Sequence, residues 1–101
     1  MVDNELLARV KRHLKITWDD PDTDDRVIEM VENAATTLAH KLGIPASVDA
    51  FTGAGPERTL FCNYCMYDWN NCLNEFDEAY SNEIAQLRQK YEVMAYKEAQ
   101  L

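Results

Sequence analysis

Three cysteines, two histidines and a run of aspartates are the residues of this 101-residue chain that could do chemistry. Cys62 and Cys65 form a Cys-x-x-Cys pair, and Cys72 follows seven residues on. A structural zinc site needs four ligands, and neither His13 nor His40 has ligand spacing to the cysteines or to the other. A redox pair of this type opens a helix after a strand. Here the apolar spacing puts the pair inside a helix, where cysteine packs as a small hydrophobe. The pair therefore reads as core or interface packing, with no metal and no cofactor. An odd cysteine count without an export signal points to free thiols.

Asp20, Asp22 and Asp24 match the first, third and fifth positions of an EF-hand loop. The match then fails. The sixth position demands Gly and is Asp25, and the twelfth demands Glu and is Val31. The acidic run reads instead as a capped, solvated helix start, or as an edge facing an assembly partner or a channel. No serine or cysteine has a visible base with an orienting partner, and no Gly-rich loop could cradle a phosphate. The chain is expected to be non-enzymatic.

Charge narrows the partners. The formal net charge is −8. Residues 1–16 carry four basic and two acidic groups, and residues 17–32 carry one basic and seven acidic groups. Nucleic-acid affinity comes mainly from Lys and Arg neutralising phosphates. The acidic balance argues against sequence-specific DNA or RNA binding. No apolar run is longer than Val93-Met94-Ala95-Tyr96, which is far too short to span a membrane. Asp3 and Glu5 precede Leu6, which does not read as a signal peptide. A protein made and kept in a cytoplasm is expected, unless it leaves as part of a particle.

The length suggests one domain covering residues 1–101. The first helix is predicted from Asn4 to Leu14, with Leu6, Leu7, Val10 and Leu14 on one face. Asp3 or Asn4 caps it, and Lys11, Arg12 and Lys15 complement its dipole. The Asp-rich stretch reads as a turn and then a helix start, with Pro21 in the turn or at the first helical position and Asp20 or Asp22 as cap. The second helix runs to about Leu42, burying Val27, Val31, Ala34, Leu38 and Leu42. Gly43 stops it and Pro45 follows. Residues 43–56 read as one long loop, pinned by Val48 and Phe51, and a loop of that length is often functional. The third helix runs from Glu57 to about Asn70. Asn70-Asn71 is poor helix sequence.

The last element is the most informative. Leu73, Phe76, Tyr80, Ile84, Leu87, Tyr91 and Met94 are spaced by three or four residues. On a 3.6-residue repeat they form one stripe. If residues 74–97 are one helix, it is roughly 36 Å long, against a radius of gyration of about 13 Å for a domain of this size. Part of the stripe is then surplus to one small bundle. Tyr80, Ile84, Leu87, Tyr91 and Met94 are candidate contact residues. Trp69 lies off the stripe and Tyr96 beyond it, and both are added because Tyr and Trp are enriched at interfaces. The fold expected is all-α, a small bundle of about four helices.

Two segments carry a resemblance. Leu6 to Ile16, the Asp-rich turn, Asp24 to Ala34 and Lys41-Leu42-Gly43-Ile44 resemble the head–tail connector (adaptor) proteins of tailed bacteriophages. Leu60 to Phe76 is similar to the C-terminal half of the same group. The resemblance implies a virion protein of the neck, assembled in the bacterial host cytoplasm. It implies a ring of copies of itself, about twelve by family likeness, docked on the portal and meeting the next head-completion or tail protein. DNA would pass through without sequence-specific binding. An acidic wall would repel phosphates, so Asp19, Asp20, Asp22 and Asp24 are the candidate channel-facing residues. The family supplies no catalytic residue. A second reading of the same helices is a small non-enzymatic module that docks one partner or regulates it.

Overall fold

The computed structural model describes residues 4–18, 20–45 and 48–99, without the side chains of 4, 48 and 49. Asp3, Asp19 and the side chains of Asn4 and Val48 therefore lie outside the described residues. Every regular element described is helical, so the protein is all-α. The elements are α1 (Asn4–His13), α2 (Pro21–Leu42), α3 (Pro56–Trp69), α4 (Phe76–Ala79) and α5 (Ser81–Ala99). Short 3-10 turns span Val48–Phe51 and Leu73–Glu75.

The central element is α2, which packs against α1, α3 and α5. Its apolar spacing buries Val27, Met30, Val31, Ala34, Ala35, Leu38, Ala39 and Leu42. Small side chains at 34, 35 and 39 let neighbouring helices approach. Leu6 and Val10 come in from α1, and Leu60, Phe61, Tyr64 and Cys65 from α3. Phe51, in the first 3-10 turn, is fully buried and stacks on Phe61 with ring centroids 4.9 Å apart. That stack fastens the long connection to the core.

Three helices end by one device. Lys15, Gly43 and Asn71 are left-handed, at φ 62°, 73° and 59°. The following amide then reaches back to a carbonyl five residues earlier: Ile16 to Lys11 at 2.9 Å, Ile44 to Ala39 at 3.0 Å and Cys72 to Tyr67 at 2.8 Å. This satisfies carbonyls that the helix end leaves unpaired, and it folds the next side chain back onto the body. Ile16 is buried as a result.

The expected single helix over 74–97 is not formed. The chain makes a 3-10 turn, the single turn α4, and then α5. Tyr80 leaves helical dihedrals at φ −118° and ψ 20°. Aromatic packing onto α3 accompanies the break. Tyr80 stacks on Phe76 at 4.9 Å and meets Tyr67 edge-on at 5.6 Å, while Phe76 meets Tyr64 edge-on at 4.9 Å. Such pairs each add about 0.5–1.5 kcal/mol beyond burial. At 19 residues, α5 is still about 28 Å long. The molecule measures 49 × 28 × 19 Å, with a radius of gyration of 14.3 Å. It is longer and thinner than a ball of its size.

Candidate functional site

Along α5 the apolar stripe passes from packed to bare. Leu87 is 6% exposed and belongs to the core, and Ile84 and Tyr91 are partly buried against it. Beyond Tyr91 the described side chains of α5 face solvent. Val93 is 45% exposed, Met94 48% and Tyr96 67%. Met94 continues the stripe, while Val93 and Tyr96 lie on other faces of the helix, so the bare end presents apolar groups on more than one side.

The last packed turn is anchored. Lys90 Nζ pairs with Glu57 Oε1 at 3.1 Å, and the Tyr91 hydroxyl donates to Glu57 Oε2 at 3.3 Å. Burial and the nearby Glu57 carboxylate push the Tyr91 hydroxyl above its usual range. Beneath the bare end lies a cleft of ≈ 510 Å³ between α5 and the connection after α2. Ile44, Pro45, Ala50, Tyr91, Met94 and Ala95 line it, with Gly43 and Glu98. A second, mainly apolar cleft of ≈ 400 Å³ opens between α3 and α5, among Leu60, Asn63, Tyr80, Gln86, Leu87 and Lys90.

The candidate contact residues thus divide. Met94 and Tyr96 stand in solvent. Tyr80, Ile84 and Tyr91 pack partly within the chain, and Leu87 does so almost wholly. Trp69 is partly buried, with the Arg26 guanidinium 4.4 Å above its ring. Trp18 is 51% exposed beside the acidic turn, where its indole N–H donates to Thr23 Oγ1 at 3.4 Å. Sequence spacing gave no signal for Trp18, because it sits between helices.

The acidic segment is also divided. Asp20 precedes the first residue of α2 and accepts a hydrogen bond from Thr23 Oγ1 at 2.9 Å. Asp22 faces solvent. Asp24 meets Lys11 Nζ at 2.7 Å, so its charge is compensated. Asp22 and Asp24 lie inside a helix rather than on a ligand loop. Among the described residues no group of three or more His, Cys, Asp or Glu side chains is placed to hold a metal ion.

Cys62, Cys65 and Cys72 are free thiols, the first two buried. Burial raises both the Cys62 and the Cys65 thiol, Cys65 far above the usual range, which removes the reactive thiolate. His13 Nε2 lies 3.0 Å from Asn63 Oδ1, and His40 is exposed.

One cluster had no sequence signal. Arg9, Arg12 and His13 of α1 meet Arg58 and Cys62 of α3 around a cleft of ≈ 470 Å³. Arg9 Nη2 donates to Glu5 at 3.2 Å, but its buried Nε meets no acceptor. Among the described residues no carboxylate pairs with Arg12 or Arg58. The two halves of this cluster lie more than forty residues apart in sequence, so only the α1–α3 packing brings them together.

No family model, curated protein or solved structure matches the chain.

Proposed function

We propose that this protein is a non-enzymatic structural subunit of a ring that joins the portal of a tailed-bacteriophage head to the tail or the next neck component. The observation that carries this reading is the bare apolar end of α5, where Val93, Met94 and Tyr96 are each close to half exposed or more. A helix that anchors itself through Glu57 and Lys90 and then presents unpacked apolar side chains is built for a partner. The family resemblance of the sequence supplies the partner: the portal. The elongated body, 49 Å in its longest dimension, suits a subunit that spans between two assemblies.

The ring extends the DNA channel, and Asp20 and Asp22 at the start of α2 fringe it, with Asp19 adjoining them in sequence. Carboxylates there repel phosphates, so DNA slides without sticking. Asp24 adds little to that field, because Lys11 faces it. Among the described residues no helix is long and apolar enough to cross a membrane. The protein then resides in the virion neck, after assembly in the host cytoplasm.

The test is electron microscopy of the purified chain mixed with a portal ring. A closed ring of this protein stacked on the portal is expected. A chain that stays monomeric and leaves the portal bare refutes the proposal. Asn in place of Asp19, Asp20 and Asp22 tests the channel reading. Slower DNA ejection from otherwise complete particles is expected, and normal ejection refutes that part alone.

A further inference from the structure

We propose that the arginine cleft between α1 and α3 receives the outer face of α2 from the next copy of this chain, so that Arg9, Arg12 and Arg58 of one subunit meet Asp25, Glu29 and Glu32 of its neighbour. The proposal rests on the ring reading and names the surfaces that close the ring.

The cleft asks for carboxylates. Three guanidinium groups border one cavity, two of them without an acidic partner among the described residues, and the third holds a buried donor that meets no acceptor. Guanidinium forks bind carboxylates through paired, charge-assisted hydrogen bonds. A carboxylate in the cleft meets the Arg12 and Arg58 guanidinium groups, which have no acidic partner among the described residues.

The occupant is on the same molecule. Asp25, Glu29 and Glu32 are exposed on α2 and stand at i, i+4 and i+7, one acidic stripe about 10 Å long. The single cation of this segment, Arg26, does not neutralise the stripe; its guanidinium is turned over Trp69. One chain cannot join the two surfaces to each other. On α1, Lys11 turns to α2, whereas Arg9 lies about 160° around the helix from Lys11 and lines the cleft with α3. The stripe is on the solvent side of α2, opposite its buried residues. The two patches are complementary rather than self-complementary, which suits a head-to-tail contact. Head-to-tail pairing closes into a ring when the rotation allows. Charge complementarity then sets register and excludes wrong partners.

A nucleic-acid phosphate chain is the competing ligand. It fits worse, because an extended polyanion leaving the cleft meets Glu5, which is bonded to Arg9.

The experiment is a charge swap on the full chain, read by sedimentation with and without a portal ring. Arg12→Glu with Arg58→Glu reverses the cleft, and Asp25→Lys with Glu29→Lys reverses the stripe. Circular dichroism checks that both variants remain helical. Wild-type association should weaken about tenfold or more as salt is raised. Each variant alone should lose association by at least about tenfold, and an equimolar mixture should restore it, since each new charge meets its opposite. Variants that associate like wild type, or a mixture that stays dissociated, overturn the proposal while the ring reading stands. A cleft variant that assembles normally but loses retention on duplex DNA overturns it in favour of a phosphate ligand. Wild type that never associates, alone or on the portal, removes both this proposal and the ring.

Discussion

Lys90 Nζ lies 3.1 Å from Oε1 and 3.2 Å from Oε2 of Glu57, bridging α5 to the first turn of α3. The bridge lies one residue before Tyr91, the last side chain of α5 packed against the core. Lys90 is about half exposed, so the pair itself contributes little, under about 1 kcal/mol. Its effect is local. Lys90→Ala should lower global stability by less than about 1 kcal/mol yet speed amide hydrogen exchange in the adjoining turn of α5 ahead of α2. Exchange that rises equally in both helices would show the bridge to be incidental.

Stability and assembly should separate along α5. Leu87→Ala empties a core position and should cost about 2–4 kcal/mol in urea unfolding. Met94→Ser with Tyr96→Ser touches solvated side chains and should change stability by no more than about 0.5 kcal/mol each. The same double variant should lose portal binding, measured by co-sedimentation. Binding that survives it would move the contact surface elsewhere.

The left-handed helix ends give a signed series. Lys15 holds φ 62° with a side chain that disfavours it, so Lys15→Gly should stabilise by about 0.5–1 kcal/mol. Asn71 tolerates that region, and Asn71→Gly should gain less. Gly43→Ala should cost about 1 kcal/mol from backbone strain alone, because a Cβ there meets nothing within 4 Å. Thermal midpoints decide it. A stabilising Gly43→Ala would contradict the backbone argument.

These residues also show what a reader of the sequence sees. Gly43 after an apolar period announces the end of α2, and the structure places it there. The break at Tyr80 leaves no such trace. Phe76, Tyr80 and Ile84 keep helical spacing on both sides of it, so the stripe looks continuous whether or not the backbone bends. At the break Tyr80 meets the α3 ring of Tyr67, a tertiary contact that spacing does not report. The bare end of α5 was half legible. Periodicity showed a long stripe, but only the packing shows that Leu87 is covered and Met94 is not. The arginine cleft was illegible, since no period relates Arg58 to Arg9 and Arg12.

Alkaline pH should unfold this protein through its buried thiols and phenols. Burial raises Cys65 most, with Cys62 and Asp68 adding to it, and burial also raises Cys62, Tyr64, Tyr80 and Tyr91. In the unfolded chain cysteines ionise near pH 8.5 and tyrosines near pH 10, in round figures of about one unit's spread. Below about pH 8 every one of these groups is protonated in both states, and its contribution to stability is fully present. Above that, the unfolded chain releases protons first and the folded chain holds them, so the equilibrium shifts toward unfolding until each folded value is passed. One such group accounts for a fall of up to about 1.4 kcal/mol per pH unit. Urea midpoints under reducing conditions should therefore be flat through neutral pH and drop from about pH 8.5 upward. Cys65→Ala should start from a lower midpoint, having lost core volume, but show a shallower fall between about pH 9 and pH 10. An unchanged slope in that variant would mean that the buried Cys65 thiol does not govern the alkaline transition.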